Sequence, residues 1–219
     1  MNHTMRRRLF LAETGWVLAG AGLALSGCGL RKPSMPSRTF VLKGPASTPK
    51  EALGAAGILL VRPFKVGAAF DSRAFVIRRG ESEYVPDAYH AFLVSPGAML
   101  TDLVAEYIRG LGKFSVVTTG GSQVVPSHVL EADVTEISGD YRDLGSPKAV
   151  LAIQFRMLHP LTEVRPPFLW QIAARQEVPI VRPEPEALVA GWEEGLARFC
   201  DRMAHVLGMH EQARPESGA

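Results

Sequence analysis

The residues of this 219-residue chain with the means to do chemistry are two cysteines, Cys28 and Cys200, six histidines, and a few carboxylates that fall close together. Paired carboxylates about 5–9 Å apart serve glycoside hydrolysis, and Asp71, Glu81, Glu83 and Asp87 gather along one short stretch. No pocket-forming pattern surrounds them, so a solvated loop face is the expectation. Arg73, Arg78 and Arg79 in the same stretch suit contact with phosphate or a lipid headgroup, and alternation along an exposed strand accounts for them equally well. A zinc site needs His and Cys at spacings such as H-E-x-x-H, whereas His90, His128, His159, His205 and His210 are scattered. Gly112-Lys113 lacks the earlier glycine of a phosphate-binding loop and is followed by Phe114. Gly121-Ser122-Gln123 falls in a turn, without the strand–elbow–helix setting of a serine nucleophile. No catalytic residue, metal ligand or cofactor is therefore expected.

Cys28 has a different setting. Arg6-Arg7-Arg8 precedes the apolar run Trp16 to Leu25, which ends in Ser26-Gly27-Cys28. That is the layout of an export signal, and the run is too short to span a bilayer comfortably. Leu25-Ser26-Gly27-Cys28 resembles the lipobox of bacterial lipoproteins, in which the thiol accepts a diacylglycerol and the Cys becomes the first mature residue. Cys28 is thus the expected lipidation site. By the same resemblance, Gly29 stands where an Asp would mark inner-membrane retention, which favours the outer membrane. Arg7-Arg8-Leu9-Phe10-Leu11 fits the twin-arginine route as well as general secretion, and both stay open. Cys200, the remaining thiol, has no partner for an internal disulfide and lies on an apolar helical stripe, so it is expected to be a buried small hydrophobe.

Around these residues the chain must build a core. With 47% AVILMFWYC it can, which excludes a disordered or collagen-like chain. At roughly 150 residues per domain, one domain is expected. The formal charge is +2, and removing Arg6, Arg7, Arg8 and Glu13 with the signal leaves the mature chain near neutral. That argues against nucleic-acid binding, which depends on a cationic field. The boundaries expected are a signal peptide over 1–27, the lipidated Cys and a Pro-containing tether over 28–38, a folded domain over 39–208 and a disordered tail over 209–219.

Within the domain, Thr39–Leu42 reads as a short strand, Gly44–Gly57 as a loop and Ile58–Val61 as a buried strand. Ala74–Ile77 and Ser82–Val85 read as a hairpin about Arg79-Gly80-Glu81. From Asp87 the apolar residues Tyr89, Phe92, Leu93, Met99, Leu100, Leu103, Val104, Tyr107, Ile108 and Leu111 recur every three or four positions. A helical face is predicted from there, broken at Ser95-Pro96, with the main helix over 96–110. Phe114–Val117, His128–Ile137, Ala149–Leu158 and Phe168–Val178 read as strands. A last helix opens at Pro183-Glu-Pro-Glu186 and buries Leu188, Trp192, Leu196, Phe199, Cys200 and Met203. Strands interleaved with two one-sided helices predict an α/β domain with a mixed sheet.

In order along the chain, the lipobox, Val61-Arg-Pro-Phe64, Phe70-Asp71-Ser-Arg73, Phe75-Val-Ile-Arg78, Tyr89-His-Ala-Phe92 with Pro96, Leu130–Ile137, Ala149–Phe155 and the last helix resemble the PqiC-like auxiliary lipoproteins of mammalian-cell-entry (MCE) type ABC transport systems. The resemblance runs from Phe40 to Leu207; Phe92 departs from it, standing where the family more usually has Trp. It implies a three-layer α/β/α sandwich with a mixed sheet, no enzymatic activity, and service in lipid traffic between inner and outer membranes. The partners it implies are an MCE-domain protein, a permease and an ATPase, with homo-oligomers allowed and no nucleic acid. Partner contact is expected on a sheet edge or loop surface, with residues 79–84 and 160–167 as candidates. The alternative is a free-standing periplasmic lipoprotein that binds a small ligand or stabilises the envelope.

Overall fold

The computed structural model describes residues 37–47, 57–120, 125–159 and 168–212. The predicted signal peptide, Cys28 and the 160–167 loop lie outside the described residues, as do 121–124 and 213–219.

Among the described residues, three long strands form one half of a nine-stranded mixed sheet: β7 (His128–Asp140), β8 (Lys148–Leu158) and β9 (Phe168–Pro179), all antiparallel. The free edge of β7 is shared by three short parallel strands. Low on it sits β2 (Ile58–Val61), at its middle β3 (Lys65–Val66), and at its C-terminal end β4 (Ala74–Arg78). β2 carries β6 (Val116–Thr118) in parallel. β4 carries β5 (Tyr84–Phe92) antiparallel, and β5 carries β1 (Arg38–Phe40) in parallel.

α1 (Pro96–Gly110) and α2 (Pro185–Gln212) cover one face of this sheet. Phe199 of α2 packs on Phe155 of β8, their ring centroids 5.8 Å apart, and Phe155 also meets Phe64 at 5.7 Å. The Phe64 amide donates to Thr101 Oγ1 of α1 at 2.9 Å, so both helices stand on the side that Phe155 faces. At the centre, Trp192 of α2 is fully buried against Phe75 and Phe92, and its Nε1 donates to the Ser138 carbonyl at 3.0 Å. The α/β class and the mixed sheet are as the sequence predicts. Among the described residues, however, the helices form one layer on one face, and the three-layer arrangement is not what they build.

A bulge sets which residues face which way. Val134 pairs with Ile153 and Glu136 with Ala152, leaving Thr135 as the extra residue. Leu130, Ala132, Val134, Ile137 and Gly139 therefore share the face of Phe155, across which they or their β8 partners meet the helices. Glu131, Asp133, Glu136, Ser138 and Asp140 turn to the other face. A strict two-residue alternation from Val134 would have aimed Glu136 at the helices.

Two sequence expectations are corrected. The stretch from Asp87 to Phe92 is the second half of β5, not helix: Asp87 Oδ1 accepts from the Tyr89 and His90 amides at 2.7 and 3.1 Å, a local turn that interrupts the strand's alternation and mimics helical spacing. The helix starts after it, at Pro96, as predicted. At the other terminus α2 continues to Gln212, into the segment expected to be a disordered tail.

Candidate functional site

Residue by residue, the candidates for chemistry are dispersed. Asp87 holds His90 Nδ1 at 2.9 Å; burial raises its pKa, and the His90 and backbone hydrogen bonds outweigh this and lower it. Glu81 reaches Arg142 at 3.1 Å, while Asp71 and Glu83 are exposed. The four carboxylates do not converge on one point. Arg78 is spent locally, donating to the Gly80 and Glu81 carbonyls and stacking on Tyr84, and Arg73 donates to the Leu93 carbonyl. Cys200 is fully buried, and desolvation pushes its thiol up to about 12, so it is the inert hydrophobe expected. Among the described residues no group of three or more His, Cys, Asp or Glu is placed to hold a metal ion. No helix among them is long and apolar enough to cross a membrane.

What the sequence did not reveal is the order on the open face of the sheet. Arg156 of β8 lies between Glu131 and Asp133 of β7, and Arg62 pairs with Glu131 from outside. One register further, Arg175 of β9 pairs with Glu136 and with Glu177, which Lys148 also holds at 2.9 Å. At the end of β7, Asp140 accepts from Arg142 Nη2 at 2.8 Å. The Arg142 hydrogen bonds hold the Asp140 carboxyl below its usual range, and those of Lys148 and Arg175 do the same for Glu177. These pairs join residues far apart in sequence through the strand register, and no motif announces them. Their signs cancel, so the face has little net field to attract a charged ligand.

Two further features lie off that face. His128, beside Ser127, stacks near Phe114 and His159 at the start of β7. A cleft of about 450 Å³ is lined by Lys43–Ser47 and by Leu103, Glu106 and Tyr107 of α1. Lys43 and Glu106 put opposite charges at its wall, without a base–nucleophile pair.

By geometry this is a single α/β domain that offers surfaces and edges; no reaction centre is assembled among the described residues. The chain belongs to the family of ABC-type transport auxiliary lipoprotein components, whose model matches residues 40–204. The family resemblance read from the sequence is thereby confirmed. Among solved structures, a Xanthomonas campestris protein of the DUF330 family is similar at TM-score 0.61 and 18% identity, over 81% of this chain and 96% of that one. An uncharacterised protein is similar at TM-score 0.60 and 14% identity, over 78% of this chain and 98% of that one. At these identities the likeness is one of fold. No curated protein matches the chain.

Proposed function

We propose that this protein is a non-enzymatic lipoprotein, anchored to the periplasmic face of the outer membrane through Cys28, that docks the lipid conduit of an MCE-type ABC transport system. The observation that carries the reading is the family match over nearly the whole folded domain, directly behind a lipobox. A transport auxiliary works by binding, which suits a domain whose polar groups are engaged in structural pairs. The MCE-domain protein is the direct partner in this reading, with the permease and ATPase completing the system.

The anchor and the partner are tested separately. One acyl chain gives only reversible membrane binding, and the two or three chains of a bacterial lipoprotein make it durable. Cys28→Ser is expected to leave the protein unprocessed or soluble in the periplasm; a variant that still fractionates with the outer membrane and needs detergent for release refutes the anchor. In solubilised membranes the native protein is expected to co-purify with an MCE-domain protein. The double deletion of both genes is expected to match the single ones in sensitivity to membrane-active compounds. Absence of association together with additive phenotypes would refute docking.

A further inference from the structure

The topology gives the domain two unlike ends. β4, β7 and β9 all finish at the same end: Arg78 pairs with Asp140, Asp140 with Lys148, and Lys148 with Pro179. Three loops meet there, 79–83, 141–147 and 180–184. The Tyr141 amide donates to the Arg78 carbonyl at 2.8 Å, the Ile180 amide to the Pro147 carbonyl at 2.9 Å, and Arg142 bridges to Glu81. α2 also starts at this end, with Leu188 against Gly139.

The chain enters the fold from that end too. β1 runs parallel to β5, which leaves the loop end at Tyr84 and heads away from it, so Arg38 is the end of β1 nearer the loops. Arg38 confirms this by pairing with Glu186 in the first turn of α2. Cys28 lies ten residues before Arg38, a span of roughly 33 Å when fully extended at about 3.3 Å per residue.

The loop end presents Val181 and Leu144, which are 92% and 70% exposed. One exposed apolar side chain is ordinary. These two occupy neighbouring loop tips, and their tips are held in shape. The Gly145 and Ser146 amides donate to Asp143, and Ile180 beside Val181 is buried. Arg182 pairs with Glu184 and Arg142 with Asp140 and Glu81, while Arg79, Glu83 and Asp143 carry charges outside these pairs; the three loops hold no excess of positive charge, so no cationic field drives the contact.

We propose that Leu144 and Val181 form a membrane-contact tip, which inserts into the headgroup–acyl boundary of the bilayer that holds the lipid anchor and so sets the domain upright on it. The occupant is a lipid bilayer surface, with no preference for anionic lipid because the surrounding loops hold no excess of positive charge. This inference rests on the anchor assigned to Cys28, and orientation is what it adds.

The test uses the full-length lipidated protein in phosphatidylcholine vesicles. A polarity-sensitive fluorophore is placed at Leu144→Cys, at Val181→Cys and, for reference, at Val116→Cys, which is 49% exposed at the opposite end of the sheet. Buried Cys200 does not compete for the label. Emission from positions 144 and 181 is expected to shift to the blue on vesicles and to be quenched by spin-labelled lipid, with neither change at 116. If the protein floats with the vesicles while all three sites stay water-like, the tip proposal is wrong and the anchor stands. Failure to float removes the anchor and the tip together.

Discussion

Gly191 and Gly195 lie one turn apart on the same face of α2, and the structure gives them opposite fates on substitution. A Cβ at Gly191 would sit 2.5 Å from the Ala149 Cβ and 3.2 Å from Ile180 Cγ2. The Ala149 Cβ is fixed to the backbone of β8, so α2 would have to move off the sheet by about an ångström, an overpacking that costs about 1–3 kcal/mol. A Cβ at Gly195 would meet Gln176 and Leu151 at 3.5 Å, an ordinary contact. Each Gly→Ala change gains about 1 kcal/mol of helix propensity, and that gain cancels when the two variants are compared. Gly195→Ala should thus exceed Gly191→Ala in stability by about 1–3 kcal/mol. At roughly 2–4 °C per kcal/mol for a domain of this size, their melting temperatures should differ by about 2–12 °C. Differential scanning calorimetry on the two variants reads this directly. Equal melting temperatures, or a more stable Gly191→Ala, would refute the close approach of α2 to β8.

Trp192→Phe keeps most of the aromatic packing on Phe75 and Phe92 but loses the indole hydrogen bond to the Ser138 carbonyl, so a loss of about 0.5–1.5 kcal/mol is expected in urea unfolding, against about 3–5 for Trp192→Ala. Asp140 is 7% exposed at its side chain and its pKa is lowered in the fold, chiefly by hydrogen bonding from Arg142. Its contribution is therefore complete above the unfolded carboxylate pKa and is lost as pH falls through the lower folded value. Asp140→Asn should cost about 1–2 kcal/mol at pH 7 and progressively less as the pH falls below the unfolded carboxylate pKa, and a cost that does not shrink in acid would contradict the pairing.

Ile58–Val61 and α1 were legible with their residue bounds because a continuous apolar run and a Ser-Pro start are local signals. The two-residue β3 carries no such signal; it exists because Arg62 and Gly67 donate to β7 carbonyls on either side of it. Tyr89 to Phe92 reads as helix in the sequence because the turn at Asp87 breaks the strand period locally, and only pairing with β1 and β4 reveals the strand. The Glu136–Arg175 pair was beyond reach for another reason: the bulge at Thr135 decides the face on which Glu136 lands. Leu144 and Val181 were visible as residues, but their shared end follows from topology alone.

That same topology narrows where docking can occur. The open face satisfies its own charges, and displacing those pairs would leave buried carboxylates such as Glu136 without a partner, a costly exchange. Sheet edges remain. β1 and β6 are three residues each, too short to hold an added strand firmly. β9 is twelve residues long and, among the described residues, pairs with β8 alone. Its half nearest the loop end carries Arg175, Glu177 and Pro179, which guard an edge against stray pairing. The other half, Phe168 to Ala174, bears no charge, and Phe168 is exposed. It lies at the end remote from Arg38, where the chain enters. For the docking role proposed above, this uncharged half of β9, which among the described residues has no strand on its outer side, is the edge along which an added strand would pair.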